Sequence, residues 1–478
     1  MDFTEIYRQT SSLVAFSAGA HFILTAIQDR VIVRRADTFH ITRTWLVDAS
    51  PTATHSALLT RSTSKAKAST ATTSANAAQE NWVTHVGWSC DSEYILAACA
   101  KRGVVHIFKL RDEEWSGRID AGAEGLVRAE WAPDGRTVLC FSEWGLRVTL
   151  WSLVTGTATY IQYPVHPDKG MPTSVLWMPH SWCSEGYAFR TDGRYFLLAE
   201  RHKSKDTLGV YDASESYKLV RHFPLPTSSV ASFSLSPTGS CVAAWDGPLE
   251  YKLCILTLAG DLLATFTPDP DPGFGVHILD SLTWSPAASL ELTSRIPSTV
   301  RTWREPSGWL EATEGRGFLS YERLQGIQTL SIGRSDLSKP YPKCGVIQLE
   351  FNTTGSLLLV RFENTPNTLH IFDFPSPQEP FLPHLRTVLI HQQPIQHARW
   401  NPVRKGSLSL CCGTQSVYVW SDEWAGDSGQ EEEMAECIGV PAKNFEARDL
   451  RWAPDGKGFI LLDRDQFCCA FEVEDEAY

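Results

Sequence analysis

Along almost the whole chain, apolar runs too short for ordinary helices alternate with short polar turns. The stretch WAPDG occurs twice, at Trp131–Gly135 and Trp452–Gly456, and each copy runs straight into a strand-like run, RTVLCF and KGFILL. Segments that end in an aromatic, pass a polar turn and restart as an apolar run recur throughout. They are FSAGAHFILTAI from Phe16, WSCDSEYILAAC from Trp88, WAPDGRTVLCFS from Trp131, FRTDGRYFLLAE from Phe189 and FSLSPTGSCVAAW from Phe233. WSPAASLEL from Trp284, FNTTGSLLLVRF from Phe351, WNPVRKGSLSLCC from Trp400 and WAPDGKGFILLD from Trp452 complete nine copies. Pro and Asp set the first turn positions and Gly supplies the positive φ, so the flanking runs are two antiparallel strands. A third strand follows in most copies: VVHIFKL, RVTLWSL, TLGVYDA, YKLCILTL, TLHIFDF, SVYVWSD and QFCCAFEV, all rich in β-branched and aromatic residues.

A period of about forty-five to fifty residues built from short strands predicts the blades of an all-β propeller with about eight or nine units. One such sheet cannot bury both faces; stacking sheets around an axis does, with large aromatics filling the wedges between them. The chain is read as a single domain over residues 1–478. It stops at EVEDEAY just after a third strand, so the last blade lacks its outer strand, and DFTEIYRQ near the N-terminus is placed to supply it and close the ring. One unit, near residues 284–310, is short. After LTWSPAAS the chain reads LELTSRIPSTVRTWREPSGWLEATEGRG, a poor pair of strands, and residues 294–345 read as an irregular insertion.

Composition narrows the class. The chain has 478 residues, 43% hydrophobic and 21% charged, which suits a soluble globular protein with a sizeable core. Its 17 Trp are many, and packing between blades accounts for them. The net charge of -12 argues against a coat of nucleic acid or anionic lipid. No apolar run has the length of a bilayer span, and the acidic MDFTEIYRQT does not look like a signal peptide. The 12 Cys are scattered through apolar runs with no CxxC or zinc spacing, and the adjacent pairs Cys411–Cys412 and Cys468–Cys469 point to opposite faces of a strand. They read as small core hydrophobes in a reduced compartment.

The turns followed by strands ending in LWS or IFD resemble those of WD-repeat proteins, in a degenerate form without the usual Gly-His and with most terminal Trp-Asp pairs replaced. More specifically, KRGVVHIFKL (101–110), GLV (125–127), DGRYFLLAER (192–201), LEYK (249–252) and QFCCAF (466–471) are similar, at matching places, to the family called WD-repeat protein eight. That resemblance spans nearly the whole chain outside the insertions. It implies a cytoplasmic scaffold at the centrosome or fungal spindle pole body. Its partners would be a coiled-coil anchoring protein and, in fungi, a minus-end-directed kinesin, and the complex would hold microtubule minus ends.

Recognition is expected in the loops. Residues 49–81 are almost entirely Ala, Ser and Thr and read as disordered, with Ser64 (after Arg61) and Ser69 as candidate phosphorylation sites. In the other insertions Trp182, Trp309, Tyr321 and Trp424 are candidate partner-binding anchors, with the acidic run Glu431, Glu432 and Glu433 beside Trp424. His166 and His180 do not have a metal-ligand spacing. There is no GxSxG, Walker loop, HExxH or post-strand GxGxxG, so no catalytic residue and no cofactor is assigned. The alternatives to the scaffold are a ribosome-associated propeller, which would need a basic face, and an enzyme with a site at the central channel.

Overall fold

The computed structural model describes residues 1–50, 57–62, 79–165, 186–247, 252–267, 275–333, 345–374, 381–425 and 431–472. Its repeating element is the turn between the first two strands. In the first WAPDG copy, Gly135 sits at φ +62° and donates its N–H to the Ala132 carbonyl at 3.0 Å. The Asp134 carboxylate accepts from the amides of Arg136 (2.9 Å) and Thr137 (2.8 Å). The second copy repeats this: Gly456 at φ +69° bonds to the Ala453 carbonyl at 2.9 Å, and Asp455 accepts from Lys457 N–H. These are left-handed positions that glycine fills without steric cost.

Eight four-stranded antiparallel blades grow from such turns. They cover residues 14–46, 85–120, 128–162, 187–224, 230–266, 346–390, 397–439 and 449–471, and are numbered here 1 to 5 and 7 to 9. Among the described residues, the sixth unit holds Gly275–Leu279 paired with Pro286–Glu291 and no further strand in that sheet. The shortened unit is therefore where the sequence puts it. Trp284, however, is not at a strand end: it sits in the hairpin turn at φ +57°, with its N–H on the Asp280 carbonyl.

The core is divided into wedges. One apolar cluster joins blades 1 and 2, where Trp45 stacks on Phe108 at 5.0 Å, and others join each successive pair to blade 5. Clusters likewise join unit 6 to blade 7, 7 to 8, 8 to 9 and 9 to 1. Adjacent cysteines serve different wedges: Cys468 faces blade 8 and Cys469 faces blade 1. In four blades the tryptophan ending the first strand reaches back one blade. Its indole N–H meets the carbonyl just before that blade's own aromatic: Trp88 to Ala15 (3.3 Å), Trp131 to Gly87 (3.2 Å), Trp400 to Glu350 (2.9 Å) and Trp452 to Arg399 (3.2 Å).

The ring closes through its N-terminus. Asp2–Phe3 and Tyr7–Arg8 pair antiparallel with Gln466–Phe471, becoming the outer strand of blade 9. Three other outer edges are also covered by added chain. Leu58–Ser62 pairs with the outer strand of blade 2, so this part of the 49–81 insertion is ordered. Within the 294–345 insertion, Arg301–Arg304 lies parallel to blade 7's outer strand and Phe318–Ser320 pairs with blade 8's. The pairing partners are tens to hundreds of residues away, which local alternation cannot reveal.

The closure predicts that the amides of Thr4, bonded to the Cys469 carbonyl at 3.0 Å, and Gln9, bonded to the Asp465 carbonyl at 2.8 Å, exchange hydrogen as slowly as the strands of blade 9. Hydrogen exchange resolved by mass spectrometry checks this; fast exchange at both would leave the ring open at that seam.

Candidate protein-interaction surface

Three of the residues expected as partner anchors are interior. Trp309 and Tyr321 are 2% and 5% exposed and cap the cluster between blades 7 and 8. Trp309, on a single helical turn Trp309–Ala312, donates its indole N–H to Glu305 at 2.8 Å. Glu305 also accepts from Tyr418 hydroxyl (2.7 Å) and the amide of Gln392 (2.8 Å). The Tyr321 hydroxyl meets the His391 ring at 3.2 Å. Burial pushes the His391 pKa down to about 3, so its 3.9 Å approach to Glu305 is between a neutral ring and a carboxylate.

Glu433 is likewise buried, not part of a solvated acidic run. It accepts from Arg301 (2.6 Å), Trp303 indole (2.9 Å), Thr387 hydroxyl (2.6 Å) and Trp420 indole (3.1 Å). Burial alone would raise its pKa; these donors outweigh it and hold the carboxyl below its usual value. Glu305 and Glu433 thus fasten the 294–333 excursion to blades 7 and 8. The sequence made these residues look like loop anchors because their partners come from other blades.

The remaining candidates are dispersed. Trp424 is half-buried and pairs through its backbone with exposed Glu432, while Ala425 pairs with Glu431, in the last two strands of blade 8. Trp182, Ser64 and Ser69 lie outside the described residues. On the first strands, which line the axis, the carboxylates are engaged in joining blades. Glu130 holds Arg128 and the Tyr187 hydroxyl of the next blade. Asp449 accepts from Arg451 at 3.1 Å, and Arg451 in turn reaches the Val14 carbonyl at 2.8 Å. Among the described residues no group of His, Cys, Asp and Glu could hold a metal ion.

A different residue stands out. Trp144, in the turn Glu143–Gly145 between the second and third strands of blade 3, is 90% exposed. Its backbone is left-handed, φ +61° and ψ +16°, a strain of about 1–3 kcal/mol for a non-glycine residue. Burial of its ring offsets none of this. Val127, Leu146 and Tyr163 are exposed on the same rim. Backbone bonds knit them together: Val127 N–H to Phe141 (2.8 Å), Tyr163 N–H to Leu146 (3.0 Å) and Arg201 N–H to Tyr163 (2.9 Å). The Tyr163 ring meets His202 of blade 4 at 4.8 Å. There Arg201, His202, Lys203 and Lys205 form a basic hairpin end; Arg201 is committed to buried Asp206 at 2.5 Å, while His202, Lys203 and Lys205 are exposed. The sequence did carry a signal for Trp144: the corresponding turns of other blades, such as Gln28–Asp29, Lys203–Ser204 and Asp463–Asp465, are polar.

No protein-family model matches the chain. It is similar to WD repeat-containing protein WRAP73 of Mus musculus, 28% identical across 98% of this chain and 96% of the mouse protein. The chain is similar to this WD-repeat protein along nearly its whole length. Among solved structures it is similar to the C-terminal WD40 domain of Sif2, with 10% identity, 98% of this chain, 99% of that one and a TM-score of 0.49. It is also similar to the Dos1 propeller, with 11% identity, 98% and 94% coverage and a TM-score of 0.48. The WD-repeat resemblance and the propeller architecture read from the turns both hold.

Glu433→Ala strands two indoles, a hydroxyl and Arg301, and is expected to lower stability by about 3–5 kcal/mol. Glu432→Ala, on the exposed neighbour, is expected to change it by no more than about 0.5 kcal/mol. Because the folded-state pKa of Glu433 is lowered, its contribution is complete above the ordinary carboxyl range and is lost as pH falls through the folded value. The Glu433→Ala deficit therefore narrows below about pH 4. Urea unfolding at pH 7 and pH 3.5 measures all three.

Proposed function

We propose that the chain is a non-catalytic adaptor of the spindle pole body or centrosome. It binds a coiled-coil anchoring protein to tether microtubule minus ends and, in a fungal cell, acts with a minus-end-directed kinesin. The observation that carries this reading is similarity to WRAP73 along nearly the full length of both chains, with the family-like stretches in the same order. The engagement of the described axial carboxylates in blade-to-blade bonds favours a scaffold over channel chemistry. Rigid blades hold loops in fixed places, and binding to those loops needs no chemical step. Trp182, Trp424, Glu431 and Glu432 stay as proposed further contacts, and Ser64 and Ser69 as proposed phosphorylation sites that would reverse the local charge.

A fluorescently tagged copy at endogenous level is expected to form discrete spots at the spindle poles that vanish when the coiled-coil partner is depleted. Diffuse signal that sediments with ribosomes would overturn this reading and favour a translation-associated propeller.

A further inference from the structure

We propose that the rim of blade 3 around Trp144 is a docking site for an amphipathic helix whose apolar stripe is flanked by carboxylates. This rests on the adaptor reading only in supposing that the chain has a protein partner.

The site offers exposed side chains beside loop ends whose amides are bonded. Between Val127 and Arg201 the amides at the loop ends are already bonded to Phe141, Glu143, Leu146 and Tyr163 carbonyls. An extended peptide adding itself as a strand finds no unpaired edge there. A helix, with its backbone bonds satisfied internally, binds through side chains alone. The dimensions agree. Val127 precedes the first strand of blade 3, Trp144 and Leu146 lie where its second strand passes to its third, and Tyr163 follows the fourth. Three strand spacings give about 14 Å, which about three helical turns of 5.4 Å span. Anchors at i, i+4 or i+7, and i+11, spread over about three turns, therefore reach Val127, Trp144 and Tyr163 in turn.

Charge selects the flank. The protein carries a net charge of -12, yet the exposed end beside Tyr163 presents His202, Lys203 and Lys205, with Arg201 and Asp206 neutralising each other. On the same rim Arg147 and Glu124 also pair with each other, which leaves Glu143 as the exposed carboxylate beside Trp144. The carboxylates of the helix therefore face the blade 4 side. Trp144 has the marks of a central anchor: a large, 90% exposed ring on a strained backbone, which burial against a partner would compensate.

The test uses the full chain and two synthetic helices with one leucine stripe, flanked either by glutamates or by lysines, followed by fluorescence anisotropy. The glutamate helix is expected to bind the native chain at least about tenfold more tightly than the lysine helix. Trp144→Ala is expected to weaken it by at least about tenfold, with thermal unfolding unchanged because the ring is exposed. The double variant Lys203→Glu, Lys205→Glu is expected to reverse the preference. Equal binding of both helices, no binding of either, or an unaffected Trp144→Ala would overturn the site. So would capture of anionic vesicles without either helix. A Trp144→Ala chain that binds the glutamate helix as the native chain does, while still gathering at the poles, would sink this site and leave the adaptor reading intact.

Discussion

Each of four blades is pinned to the one before it by the indole N–H of a tryptophan bonded to a carbonyl of its neighbour's first strand. One bond of this kind contributes about 1 kcal/mol net. Its larger effect is geometric, because it fixes the tryptophan ring in the wedge and so fixes the angle between sheets. Where the tryptophan is replaced, other polar links take over. Blade 3 meets blade 4 through Glu130 and Tyr187, blade 4 meets blade 5 through Asp206 and the Val230 amide at 2.6 Å, and blade 9 meets blade 1 through Arg451 and Val14. Hydrophobic wedges supply most of the stabilisation, and these polar links set their register.

The shortened sixth unit tests that arrangement. Among the described residues no apolar cluster joins it to blade 5, and its contact there is Phe266 with His277 at 5.6 Å. On its other side it packs on blade 7, and the excursion after it covers more of that blade, with Ile296 and Leu330 over Val388. Glu305 and Glu433 then lock the excursion to blades 7 and 8. Two buried carboxylates thus add to the Trp400–Glu350 bond in holding this half of the ring together. The chain that would have made two outer strands braces its neighbours.

Local features were legible and long-range ones were not. The WAPDG turns, the third strands, the opposite-facing cysteine pairs and the N-terminal closure follow from alternation and turn chemistry, which act over a few residues. Trp309, Tyr321 and Glu433 looked like loop residues because nothing local marks a side chain that will be buried by strands of two other blades. Leu58–Ser62 looked disordered because its partner strand lies beyond a long polar stretch. Trp144 escaped notice because its neighbours Ser142, Glu143 and Gly145 make an ordinary turn; only its comparison with polar turns on other blades marks it.

These features divide the two faces of the ring. The WAPDG-type turns are committed to hydrogen bonds within and between blades, while the opposite face presents a strained, exposed tryptophan next to a basic hairpin end. On this proposal, recognition happens on the Trp144 face. Zero-length carbodiimide cross-linking of the complex isolated from cells, read by mass spectrometry, tests this most directly. The account predicts amide cross-links from Lys203 or Lys205 to carboxylates in a helical segment of the partner. Cross-links confined to Lys405 and Lys457, on the turns of the opposite face, would contradict it.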